Sequence, residues 1–187
     1  MRTAIFGGTF NPVHNGHLHL AATVCAELAY GQVVFVPAHV PPHKDVDELI
    51  AGSHRLAMLR RAVAGHDAFR VDSCELDRRG VSYTIDTVRY LGAVRGRLGV
   101  IIGDDLAADY RSWREAPSLA READLILGRR LDGSAPLPFP HRVVRNVRLP
   151  LSSRLIRDRL RAGLPVDHLT PPAVLEYIRS HALYGAT

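Results

Sequence analysis

Two histidines three residues apart close a glycine-rich stretch, Gly7-Gly8-Thr9-Phe10-Asn11-Pro12-Val13-His14-Asn15-Gly16-His17. Imidazole nitrogens can donate to phosphate oxygens and share a developing charge. Gly7 and Gly8 lack a Cβ, so a ligand can come close to the backbone there. A helix starting near His17 would turn free N–H groups and its positive end toward an anion, with both rings over that end. No Gly-Lys-Ser/Thr follows and the pattern is not GxGxxG, so neither a P-loop NTPase nor a dinucleotide dehydrogenase is supported. Two other readings stay open on these residues alone. His14 and His17 have the spacing of a zinc pair, although no HExxH or cysteine pair supplies the remaining ligands. Either ring could also serve only as a backbone cap.

The elements that must hold this turn alternate strand and helix. Thr3 to Phe6 is a short apolar run. Leu18, Ala21, Ala22, Cys25, Leu28 and Ala29 keep helical spacing over 17–29. Gln32 to Val36 is β-branched and stops at Pro37. Ser53 is placed to cap a helix through Val63, and Thr84 one through Leu91. Phe69 to Leu76 and Arg142 to Leu149 alternate as strands. Leu98 to Ile102 is a buried strand ending at Gly103, and Leu125 to Leu127 is another apolar run. Ser118 to Glu122 is helical. Ser152 starts a helix through Ala162 that stops at Gly163, and Pro171 or Pro172 opens the last one, through Ala182. This order predicts an α/β fold: one doubly wound, parallel-sheet, Rossmann-like domain over 1–187, with a helical C-terminal part from about 152. The Pro- and Gly-rich loops 37–52 and 132–141 are the segments expected to move.

Composition agrees. The 187 residues are 47% apolar and 23% charged, ordinary for a globular chain and unlike disorder, collagen or coiled coil. Two cysteines, Cys25 and Cys74, cannot frame a disulfide scaffold, so a reducing, cytoplasmic setting is expected. No apolar run approaches the roughly 18 residues that a membrane span needs. The net charge is +5 and Lys44 is the only lysine, so arginine supplies nearly all positive charge. The arginines are scattered through helical patterns without a basic tail, so neither nucleic acid nor membrane is an expected partner.

The stretch GGTFNPVHNGHL resembles the HxGH signature of the nucleotidyltransferase superfamily. Within it the chain is similar to the bacterial nicotinate-nucleotide adenylyltransferases. The likeness continues through Pro41-Pro42-His43-Lys44, His54-Arg55, Ser82-Tyr83-Thr84-Ile85-Asp86-Thr87, Ile102-Gly103-Asp104-Asp105, Trp113, Ser152-Ser153-Arg154-Leu155-Ile156-Arg157 and Tyr177-Ile178. The histidine turn marks only the superfamily; PPHK, SYTIDT and IIGDD in this order are far more discriminating. Three positions depart from the usual pattern. Asn11 stands where Asp is commoner, Arg114 where an aromatic is common, and Arg154 where a Thr is usual.

The resemblance implies adenylyl transfer from ATP to nicotinate mononucleotide, giving deamido-NAD and pyrophosphate in NAD biosynthesis. It implies His14, His17, Lys44 and Arg157 as catalytic residues on the phosphates, with His17 at the transferred α-phosphate. It places ATP against Gly7, Gly8, Thr9, Phe10, Gly103, Asp105, Ser152 and Ser153, and the nicotinate end against Thr84 and Trp113. Arg154, Arg159 and Arg161 are read as solvated. Mg²⁺ is expected on the ATP phosphates, and no protein metal site is called. Rival readings are another transferase of the superfamily, a class I aminoacyl-tRNA synthetase, for which the chain is too short, and a nucleotide sensor without turnover. Oligomeric state stays open, a homo-oligomer included.

Overall fold

The sheet of this computed structural model, which describes residues 1–42, 48–129, 136–147 and 149–186, has six strands in the order β3-β2-β1-β4-β5-β6. The strands are β1 (Thr3–Gly8), β2 (Gln32–Pro37), β3 (Phe69–Val71), β4 (Gly99–Gly103), β5 (Asp124–Gly128) and β6 (His141–Val144). Every pairing is parallel. The helices are α1 (Asn15–Leu28), α2 (Gly52–Val63), α3 (Cys74–Arg78), α4 (Thr84–Arg95), α5 (Ala116–Glu122), α6 (Ser153–Arg161) and α7 (Pro172–Ser180).

A parallel sheet covered on both faces demands strands apolar on both sides, and these are. Ala4, Phe6, Val33, Phe35, Ile101 and Ile126 face a core built with α1, α2, α6 and α7. Their neighbours Ile5, Val34, Val36, Val100, Ile102 and Leu125 face a second core with α4 and α5. The chain winds outward from β1 through β2 to β3, then returns to β4 on the other side of β1. In such sheets the carboxyl ends of the two strands at the reversal open a crevice. The register enlarges it. Against β4, only Ala4 and Ile5 of β1 are paired, with Gly99 and Val100, whereas β1 stays paired with β2 through Gly8.

Several element boundaries differ from expectation for local reasons. The strand expected over 69–76 stops at Val71, because Asp72 Oδ1 accepts from the Cys74 N–H at 2.9 Å and turns the chain into α3. The strand expected over 142–149 is only His141–Val144. Beyond it Asn146 supplies a side-chain substitute for the ladder, accepting from Arg129 N–H at 2.9 Å and donating to Arg129 C=O at 2.7 Å. Thr84 and Ser53 lie inside their helices, while Tyr83 and Ala51 take the cap positions. Ser152 does cap α6, its Oγ accepting from Leu155 N–H at 3.1 Å.

Candidate active site

The turn after β1 enters α1 through His14, whose extended backbone makes it the N-cap. Its backbone N–H donates to His17 Nδ1 at 3.2 Å. An Nδ1 that accepts leaves the neutral ring its proton on Nε2. The two imidazoles stack with centroids 3.7 Å apart. Gly16 permits this, since a Cβ there would lie 3.1 Å from His14 Nδ1. Phe10 supports the pair from below. It adopts a φ of 47°, a left-handed value unusual for a bulky side chain. Its ring sits edge-on to His17, with centroids 5.0 Å apart.

A cleft of about 780 Å³ opens over this turn at the β1/β4 reversal. Gly7, Gly8, Thr9, His14 and His17 line it from the first turn. Gly103 and Asp105 line it from the end of β4, where the chain makes a short 3₁₀ turn over Asp104–Leu106. Ser152, Ser153 and Arg157 line it from α6, and Thr84 and Trp113 from the opposite side. One cavity therefore gathers residues 7 through 157 that the sequence reading singled out. Phe10 stands apart, with its side chain 1% exposed in the core beneath the turn. Lys44 lies outside the described residues.

The hydrogen bonds show what each side chain has left to offer. Ser153 Oγ donates to Pro12 C=O at 2.8 Å, pinning α6 to the first turn. Ser152 spends an oxygen lone pair on the cap and keeps its hydroxyl proton. Arg157 is buried, and its fork is engaged: Nη1 donates to Asn11 C=O at 2.9 Å, and Nη2 and Nε donate to Glu48 Oε2 at 2.5 and 3.2 Å. The Arg157 hydrogen bond, with help from Arg161, holds the exposed Glu48 carboxyl below its ordinary range. Arg161 is thus ion-paired as well as exposed, and Arg154 lines the cleft.

Four contributors had no role in the sequence reading, although Arg55 and Asn11 stood in its motifs. Arg55 is 2% exposed, and its guanidinium donates to Ala38 C=O at 2.7 Å, Thr9 C=O at 3.0 Å and Ile50 C=O at 3.2 Å. It ties together the segments that follow β1 and β2, and burial lowers its proton affinity. A signal existed: Arg55 shares the buried stripe of α2 with Met58, Leu59 and Ala62. Glu48 carried no local signal at all. Asn11 donates to Glu48 C=O at 2.8 Å and accepts from Tyr184 O–H at 2.8 Å, a bridge an Asp could not make in full. Glu75 lines the cleft, 5% exposed, and accepts from Thr87 Oγ1 at 2.6 Å. Burial pushes its carboxyl up.

Comparisons with known proteins give the chain's family and fold. Residues 5–159 match the family model described as cytidylyltransferase-like. A protein of Borreliella burgdorferi named "Probable nicotinate-nucleotide adenylyltransferase" is 37% identical, over 98% of this chain and 97% of its own. One of the same name from Geobacillus thermodenitrificans is 37% identical, over 99% of this chain and 87% of its own. The solved structure of the Plasmodium falciparum nicotinic acid mononucleotide adenylyltransferase complexed with NaAD superposes with a TM-score of 0.81, covering 100% of this chain and 98% of that one. At 18% identity that last likeness is one of fold.

Proposed function

The chain belongs to the nicotinate-nucleotide adenylyltransferases of the cytidylyltransferase-like family, and from that premise we propose how its cleft transfers the adenylyl group of ATP to nicotinate mononucleotide. The products are deamido-NAD and pyrophosphate. The observation that carries the reading is the gathering of the histidine turn, the β4 end, the α6 start and the Thr84–Trp113 wall around one cavity.

The acceptor needs no activation. A phosphate monoester has its second pKa near about 6 and is already a dianion in large part at neutral pH. It attacks the α-phosphorus of ATP, the bond to the β-phosphate oxygen breaks, and pyrophosphate leaves. The chemistry asked of the protein is to hold two polyanions in line and to offset charge. His17, with Nε2 as its donor, serves the α-phosphate, and His14 stacks beside it. The Ser152 hydroxyl and the free N–H groups at the start of α6 serve the terminal phosphates. Lys44 and Arg157 add cationic contacts, Arg157 exchanging Glu48 for phosphate. Gly7, Gly8, Thr9, Gly103 and Asp105 bound the adenosine, and the Phe10 ring acts through His17.

ATP brings Mg²⁺ as part of the substrate. The cleft offers imidazoles, hydroxyls and the separate carboxylates of Glu48, Glu75 and Asp105, and no cluster of three or more His, Cys, Asp or Glu among the described residues could hold a metal. That donor set fits an ion carried by phosphate oxygens and water. At the other end, the first N–H groups of α4 at Thr84 donate to the ring carboxylate, and Trp113 stacks on the pyridinium. We read 1–187 as one domain, closed by the helical part from about 152. No helix among the described residues is long and apolar enough to cross a membrane.

Pyrophosphate release with a panel of acceptors tests the reading. Release should need ATP together with nicotinate mononucleotide. Release with pantetheine phosphate instead, or with CTP as the donor, would move the chain to another branch of the superfamily.

A further inference from the structure

We propose that Arg114 is a specificity residue that reads the ring carboxylate of the mononucleotide through its guanidinium, beyond what the backbone of α4 supplies. The inference rests on the adenylyl-transfer reading of this cleft. Position 114, where the resembling family commonly carries an aromatic, holds a cation in this chain. Arg114 lines the same cavity as Tyr83, Thr84 and Trp113. Its Cζ lies 4.7 Å from the centroid of the Tyr83 ring. Tyr83 is the N-cap of α4, so the guanidinium stands at the helix end assigned to the carboxylate. A guanidinium lying on an aromatic face keeps its in-plane N–H donors for an anion.

Two acidic neighbours could satisfy Arg114 instead. Asp86 Oδ2 is 3.6 Å from Arg114 Nη1, a long contact between side chains 52% and 33% exposed, and such pairs are weak. Glu115 follows in sequence, but its two oxygens accept from Arg89 at 3.2 and 2.7 Å. Arg114 is therefore a positive side chain at the ring end of the cleft, loosely held by Asp86. A substrate carboxylate can take a paired, charge-assisted hydrogen bond from such a fork, while a carboxamide offers one neutral oxygen and an NH₂ that repels the donor.

Being half-exposed, Arg114 can be replaced without opening the core. Steady-state kinetics of R114Q and R114K with nicotinate and nicotinamide mononucleotides tests the assignment. R114Q should lower kcat/KM for the acid about tenfold, through KM, while the value for the amide changes less than twofold and KM for ATP is unchanged. R114K should recover part of the loss, and the wild-type KM for the acid should rise with salt more steeply than that of R114Q. Equal losses for acid and amide would mean that Arg114 reads the shared phosphate or supports the fold, and would overturn the proposal. So would an unchanged acid-to-amide ratio in an active R114Q enzyme, with the adenylyl-transfer reading left standing. A wild type that adenylates neither mononucleotide would overturn that reading and this inference with it.

Discussion

His17 is the residue on which the proposed chemistry leans most. Its Nδ1 accepts from the His14 backbone at 3.2 Å, and Nε2 is the nitrogen proposed to donate to the phosphate at which charge changes. Removing one preorganised donor of this kind costs about 10²–10³ in rate. His17→Ala should therefore lower kcat by that factor with the fold retained, and a near-normal kcat measured alongside an unchanged circular dichroism spectrum would refute the role. Arg55 makes a different prediction. Arg55→Met leaves the carbonyls of Thr9, Ala38 and Ile50 without their donor, and a buried unsatisfied group costs about 1–3 kcal/mol. Denaturant titration should show a loss of that order. A stability equal to wild type would mean that the three segments are held by other contacts. These two residues also mark what the sequence discloses. The histidine pair was legible because its turn, cap and glycine lie within a few positions of one another. The role of Arg55 was not, since the carbonyls it serves lie up to 46 positions away; its motif His54-Arg55 and its place on a buried stripe set it apart from solvated arginines without saying what it holds.

At the scale of elements, the first turn, the segment around Glu48, α6 and the C-terminal turn are linked through Asn11, Glu48, Arg157 and Tyr184. Glu48 occupies the fork that phosphate is proposed to take. Glu48→Gln should lower KM for ATP, by no more than a few-fold because the carboxylate is exposed. A raised KM would instead make Glu48 part of the binding surface. The pH dependence has a definite sign. The Glu48 carboxyl is held down in the folded protein, chiefly by the Arg157 hydrogen bond. Its tie is fully present above the unfolded carboxyl value of about 4.3 and is lost as pH falls through the lowered folded one. Hydrogen-exchange protection in α6, measured relative to the intrinsic exchange rate at each pH, should thus fall in acid for wild type, and show a smaller change in E48Q. The elements themselves were legible wherever apolar periodicity ran long, as in β2 and β4. Expectation failed at 72–76 and from Arg145 onward, where single Asp and Asn side chains bond to backbone and end the strands, an effect that alternation of apolar residues does not register.

For the whole molecule, function follows from where the sheet reverses. β1 and β4 part after Ile5 and Val100, and the residues proposed for the reaction, Lys44 aside, line the cleft there: His14 and His17 after β1, Asp105 after β4, with Ser152 and Arg157 of the α6 region and Thr84 of α4. The parallel order could be read from alternating strand and helix. The reversal between β1 and β4 could be expected only from the fold class, because strand order depends on crossovers that leave no local trace. The central claim is that this cleft moves an adenylyl group and not a phosphoryl group. The most direct test supplies ATP labelled either at the α- or at the γ-phosphate together with nicotinate mononucleotide. The account predicts α-label in deamido-NAD and γ-label in pyrophosphate, with no γ-label on the nucleotide product. γ-Label on the mononucleotide would contradict it, as would saturable binding of both nucleotides with no transfer of either label.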